Sequence, residues 1–318
     1  MRSTLRSGAL ALTALFAVAA CSGAGASPAA STPSVAPSTV PSTAPASQAA
    51  SPSPSADACA KAGLTLVASG KFTIGTDNPA YPPYFKANPA GNTEPWDKSQ
   101  GDPTTGEGFE SAVGFAIADK LGFTKDEVAW VYVPFANSYA PGPKTFDIDL
   151  NQVAYTAARA ETADLSDGYY FGPQTVVVLK SSPLAKATSI AELKDAKFGA
   201  QTGTTSYDAI VKVIKPTNEP MAYDSNDAAI QALKVKQIDA LMVDLPTSDF
   251  ITNVQLDTST AIGTLDQGDP EHFSAVLAKG SPLTACVNQA IKALTDDGTL
   301  KTLTDKWLPF ANTPVLKP

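Results

Sequence analysis

Three features of the chain bring together residue types that bind small charged molecules. The first is the segment 199–206, GAQTGTTS, which lies between a predicted strand and a predicted helix. A helix start carries amide groups without intrahelical partners and a partial positive charge, so it accepts a carboxylate or a phosphate. The segment lacks the lysine of a GxxxxGK[ST] loop, which argues against a nucleotide. It serves equally as an ordinary capped helix start. The second feature is Arg159, in TAARAETADLSDGYYFGP, and the third is Asp244, closing a strand-to-helix turn in IDALMVDLP. Ligands of open α/β sheets lie at the carboxyl ends of strands, which is where Asp244 falls. Each residue singly reads as a surface or capping charge. One arginine, one aspartate and one helix start together suit a zwitterion.

Other chemistries have less support. The single histidine, His272, and three cysteines cannot build a usual four-ligand zinc site, and neither metal nor cofactor is expected. No GxSxG elbow or Ser/His/Asp ordering stands out, which leaves a hydrolase triad unsupported. The formal charge of −8, with only 23 Lys plus Arg, supplies no basic stripe for a phosphate backbone, so no nucleic-acid partner is expected.

The elements that must position these residues come from hydrophobic spacing. The length of 318 residues suggests about two domains, and 43% hydrophobic content is enough for sizeable cores. Residues 64–76 read as strand, turn, strand, and 84–107 as a polar loop with one Trp, Trp96. Phe109, Val113, Ile117 and Leu121 predict a helix that Gly122 stops. Further strands are predicted at 128–133, 147–153, 175–179, 197–201, 238–243 and 274–279. Helices are predicted after the 202–206 turn, after a cap at Asn226, at Pro246, through Leu283 to Leu294 and through Leu300 to Trp307. Strands alternating with helices give an α/β fold with mainly parallel sheets.

The first 57 residues stand apart from that pattern. Arg2 and Arg6 precede a short apolar run that ends in Val18-Ala19-Ala20-Cys21. This resembles a bacterial lipoprotein signal peptide, 1–20, with Cys21 lipidated and anchored to the outer face of the cytoplasmic membrane. Residues 21–57 are almost wholly Ser, Ala, Pro, Thr and Gly, a semi-stiff spacer with nothing to bury. Export leaves Cys59 and Cys286 as an even pair in an oxidising compartment. A disulfide is preferred there over two buried thiols.

The order of the motifs then resembles the family 3 extracellular solute-binding proteins of ABC transporters, those for amino acids and other polar solutes. The matching segments are FTIGTDNPAYPPYF, GEGFESAVGFAIADKLGF, TAARAETADLSDGYY, FGAQTGTTSYDAI, IDALMVDLP, AVLAKGSPL and DDGTLKTLTDKWLP. The resemblance implies a two-lobed, type II periplasmic-binding-protein-like fold. Lobe 1 would comprise 59–171 plus 271–318 and lobe 2 would comprise 172–270, with hinges at Gly172-Pro173 and near 268–273. It also implies a monomer that passes a polar, amino-acid-like solute to the transmembrane subunits of an ABC permease. By the same resemblance Arg159 matches the arginine that grips the ligand carboxylate, and Asp244 the aspartate that receives its ammonium. Thr204 and Thr205 match the backbone and hydroxyl donors at the helix start, and Gln201 a position facing the ligand side chain. Asp77, Tyr81 and Phe135 match the wall of the first lobe.

Two departures from the family bear on the ligand. Ala154 stands where the family often has a hydroxyl residue orienting it, which weakens the expectation of an ordinary α-amino acid. The 86–107 stretch is long and placed to reshape the mouth of the cleft. Some relatives are dehydratases acting on cyclic carboxylic acids. Such an enzyme would need a cleft acid or base with a shifted pKa. Asp77 and Glu110 are the candidates, although Glu110 reads better as a capping charge. A binding protein is preferred to this enzyme and to a sensor ectodomain.

Overall fold

Hydrophobic spacing accounts for most of the elements in the computed structural model, which describes residues 59–268, 271–308 and 313–318. The expected signal peptide, Cys21 and the spacer to residue 57 lie outside the described residues. In chain order the strands are β1 (Phe72–Thr76), β2 (Val128–Tyr132), β3 (Ile148–Asp149), β4 (Ala163–Phe171) and β5 (Gln174–Leu179). They continue with β6 (Phe198–Gln201), β7 (Met221–Tyr223), β8 (Ala240–Asp244), β9 (Ser259–Thr264) and β10 (His272–Ala278). The helices are α1 (Phe109–Lys120), α2 (Phe135–Ser138), α3 (Ala157–Thr162) and α4 (Thr205–Ala209). They are followed by α5 (Asn226–Lys234), α6 (Leu245–Phe250), α7 (Thr284–Asp296) and α8 (Thr299–Trp307). Among the described residues, no helix is long and apolar enough to cross a membrane.

Two five-stranded sheets organise these elements, in the orders β2-β1-β3-β10-β4 and β7-β6-β8-β5-β9. The α/β class holds, but the sheets are mixed rather than mainly parallel. β1 runs parallel to β2 and β3, and β6 parallel to β7 and β8. β10 and β5 are antiparallel to both of their neighbours. The chain passes from the first sheet to the second at Gly172-Pro173 and returns between β9 and β10, and each return strand enters its sheet reversed.

The first sheet packs Ile74, Ile148, Leu150 and Phe273 against Phe109 and Ile117 of α1 and Val287 and Leu294 of α7. In the second sheet, Val176 and Val178 of β5 face Phe198, Ile210 and Ile262, while Val177 and Leu179 face Ile230, Leu233 and Ile251. A strand buried on both faces is a continuous apolar run, which is why TVVVL reads so plainly. Cys59 and Cys286 form the expected disulfide, tying residue 59 to the first turn of α7.

Some local expectations change. Residues 64–71 form no strand beyond an isolated bridge between Ala68 and Lys71, and Leu64 and Leu66 simply pack on the first core. The stretch 84–107 is a folded-down segment, with Tyr84, Phe85 and Trp96 buried. A Cβ on Gly108 (φ +98°) would sit 2.5 Å from the Phe85 Cα, so only glycine lets α1 begin against that backbone. Ser225, not Asn226, caps α5, its hydroxyl accepting the Ala228 N–H at 3.2 Å. Residues 313–318 do not stay with the first sheet as the expected 271–318 assignment requires. Leu316 is buried in the second sheet's core, and Thr264 and Leu316 exchange backbone bonds with Pro314 and Thr264.

Candidate functional site

A cavity of about 480 Å³ lies between the two sheets' loops, and Asp77, Tyr81, Phe135, Arg159, Gln201, Thr204, Thr205 and Asp244 all line it. The eight residues come from distant stretches because each follows the carboxyl end of a strand or begins the helix after it.

Arg159 sits in the first turn of α3, whose cap Thr156 accepts the Arg159 N–H at 3.1 Å. Its guanidinium lies 5.5 Å from the ring of Phe135 and 4.6 Å from that of Tyr139. Nη1 donates to the Ala154 carbonyl, and Nη2 donates at 2.9 Å to the Gly203 carbonyl in the turn before α4. Among the described residues it makes no ion pair. It is thus a buried, sequence-fixed cation facing a cavity without a carboxylate bound to it, the arrangement that accepts an anionic group bidentately.

The opposite wall carries one acid, Asp244, with a second, Glu271, outside the lining. Asp244 ends β8 and accepts from Gln174 Nε2 at 2.8 Å; the same nitrogen donates to Glu271 Oε2 at 3.1 Å. The Thr205 hydroxyl donates to the other Glu271 oxygen. Burial, and then the neighbouring Glu271 charge, raise the pKa of Asp244, and burial raises that of Glu271. Glu271, Gln174 and the stacking partner Tyr139 were not among the sequence candidates.

The remaining side chains are partly committed. Asp77 accepts the N–H groups of Asn78 at 2.8 Å and Phe135 at 3.2 Å, and burial raises its pKa. Tyr81 donates to Asp227 Oδ2 at 2.7 Å, joining the two walls at the rim; burial raises its pKa, and Asp227 adds to the effect. The Thr204 hydroxyl caps α4, accepting from Tyr207 N–H at 3.2 Å while donating to the Gln201 carbonyl at 2.7 Å. The hydroxyls of Thr204 and Thr205, expected as ligand donors, are instead used within the protein, which leaves only the first-turn amides in that role.

The floor was not anticipated. Thr76 and Asn151, at the ends of parallel β1 and β3, line the cavity; the Thr76 hydroxyl and the Asn151 Nδ2 are buried without a hydrogen-bond partner. Below them Asp149 is fully buried, both oxygens unpartnered, packed over Gly75 where a Cβ would approach its Oδ2 to 2.5 Å. Burial holds its pKa well above the usual carboxylate range, with Glu110 and Asp77 adding to the effect.

Several singled-out residues sit elsewhere. Ala154 is buried and outside the lining, and it contributes the carbonyl that holds Arg159. Glu110 is not a capping charge. It is fully buried, accepts from the Gln152 N–H at 2.8 Å, the Gln152 amide and the Tyr169 hydroxyl, and burial pushes it up to about 7. These bonds hold Gln152 at φ +50°. His272 stacks at 5.5 Å on Tyr155, away from the lining, and from 86–107 no residue lines the cavity.

Comparison with known proteins identifies a family. Residues 73–310 match the profile of the bacterial extracellular solute-binding proteins, family 3. An L-cystine-binding protein of Escherichia coli strain K12 is 30% identical over 166 residues, 52% of this chain and 60% of that protein, so the alignment spans less than two thirds of its length. An L-arginine-binding protein of Pseudomonas aeruginosa is 26% identical over 255 residues, covering 77% of this chain and 91% of that one. Among solved structures, an ancestral amino acid-binding protein described as a precursor of cyclohexadienyl dehydratase superposes with a TM-score of 0.59. It is 26% identical, over 75% of this chain and 95% of its own.

Proposed function

The chain belongs to the bacterial extracellular solute-binding proteins, family 3, and we propose that it captures a polar, amino-acid-like solute between two lobes and hands it to an ABC permease. The observation that carries this reading is Arg159, held over the cavity without a carboxylate partner and facing the acidic Asp244. An α-carboxylate on the guanidinium and an α-ammonium on the acid would span the cavity and touch both sheets' loops. A ligand that contacts both sides favours the closed state through the contacts made only there. The volume of about 480 Å³ suits a small molecule. The named relatives bind cystine and arginine, which carry that zwitterion.

We assign one lobe to 59–171 with 271–308 and the other to 172–270 with the 313–318 tail. We assign 1–20 to a signal peptide and Cys21 to lipid attachment outside the cytoplasmic membrane. The dehydratase alternative has less support, since Glu110 is locked in three hydrogen bonds outside the cavity and Asp77, which lines it, already accepts two backbone N–H groups. Thermal-shift screening of the common L-amino acids and cystine tests the main reading. A ligand at a hundredfold excess over its Kd should add about 2.7 kcal/mol of stability, and no shift with any of them would overturn it. Cys21→Ala should release the protein from membranes.

A further inference from the structure

Gln174 is fully buried; its Oε1 accepts the Ser206 hydroxyl at 2.7 Å, and its amide orientation follows from the carboxylates on the other side, to which only Nε2 can donate. Both hydrogens of Nε2 therefore point at carboxylates, one at Asp244 Oδ1 and the other at Glu271 Oε2. Two acids that share one nitrogen lie within a few ångströms of each other, at the edge of a cavity that Asp244 lines. We infer that Asp244 and Glu271 form a single acceptor for the solute's amine, in which the free pair keeps one proton that leaves to solvent when the amine binds. This inference rests on the solute-binding reading above.

The surroundings decide the charge. Arg159 is the cation that faces the pair, and two of its five N–H groups are directed at the Ala154 and Gly203 carbonyls. From α4, Asp208 adds negative charge to Glu271. Tyr84, from the segment before α1, and Tyr170 of β4 also face Asp244, and burial keeps both phenols neutral. His272 follows Glu271, but its ring is stacked with Tyr155 and Phe171, and burial lowers its pKa. Two ionised carboxylates in this setting repel each other, so the pair titrates as a unit and holds a proton near neutrality. An ammonium group neutralises the repulsion and takes the proton's place. Affinity for an amine-bearing solute should therefore rise with pH until the free pair ionises.

The test uses the amino acid that stabilises the wild type most, titrated by calorimetry in buffers of different ionisation enthalpy. Near neutral pH the wild type should release close to one proton per ligand, and Glu271→Gln distinctly less, since burial still raises Asp244 in the variant. At about pH 8.5 the variant should bind about tenfold or more weakly, with the gap narrowing toward about pH 6. Equal proton release, or parallel pH profiles, would overturn the paired acceptor while leaving solute binding intact. Failure of every amino acid and of cystine to bind the wild type would overturn both. Carboxyl-carbon NMR of the free wild-type protein gives an arm that needs no ligand. Resonances of Asp244 and Glu271 should titrate together, one of them above about pH 6; ordinary carboxylate titration of both would refute the inference.

Discussion

Replacing Arg159 with alanine removes the guanidinium that lies over Phe135 and Tyr139 and bonds Ala154 and Gly203. A solute carboxylate would then lose its charged partner in a site screened from water by those rings. Truncating one member of a desolvated charge pair costs about 2–5 kcal/mol, or roughly thirtyfold to several thousandfold in Kd. Arg159→Lys should recover only part of this, because a single ammonium cannot reproduce the planar fork. A separate effect falls on the free protein, since two carbonyls lose a donor. At about 1 kcal/mol each, and about 2–4 °C per kcal/mol for a protein of this size, the Tm should drop a few degrees. Calorimetry gives the first quantity and a melt without ligand gives the second, so lost binding can be separated from lost folding. If Arg159→Ala binds within about threefold of wild type, less than about 0.7 kcal/mol, the ligand role assigned to Arg159 is wrong.

Cys59→Ser with Cys286→Ser should lower unfolding stability by up to about 5 kcal/mol, the loop-closure figure for so long a separation; an unchanged denaturation midpoint would show that the bridge adds nothing. Asp149→Asn should stabilise the protein at about pH 8 by about 1–3 kcal/mol. A raised folded-state pKa contributes stability below the unfolded pKa that is lost as pH rises. The gain over wild type should therefore shrink toward about pH 5, and equal gains at both pH values would refute the buried, unpartnered acid. Leu316→Ala should cost about 2–4 kcal/mol. Gly263→Ala, whose new Cβ would lie 2.5 Å from Leu316 Cγ, should destabilise alone and less so in the Leu316→Ala background. Strict additivity in urea melts would show that the tail does not pack where it is placed.

Arg159 was legible through its segment, TAARAETADLSDGYY, which the family resemblance matched to the arginine that grips the ligand carboxylate. Asp244 was legible because an acid between an apolar strand and Leu-Pro marks a strand end. α1, α7 and α8 carry their apolar residues three or four apart and needed no tertiary information. Glu271 was not legible, since its neighbours in sequence say nothing of Asp244, 27 positions earlier; only the return crossing brings them to one amide. β4 was missed because ADLSDGYYF has no clean alternation and owes its strand form to pairing with β10. The opposite error arose at 64–71, where strand-like residues have no neighbouring strand long enough to pair with. Thr76 and Asn151 look like ordinary polar residues until the parallel pairing of β1 with β3 sets them side by side.

The position of β10 between β3 and β4 has a consequence for how the chain folds. All five strands of the second sheet lie between residues 174 and 264, so their pairing requires only comparatively short loops to close. The first sheet cannot be completed until residues 272–278 return, because β4 has no other neighbouring strand. Closing that longer loop costs more chain entropy before any contact repays it. Chain entropy therefore favours pairing within the second sheet over completion of the first. The 59–286 cross-link closes a loop that contains every strand of both sheets, so it restrains the two sheets together.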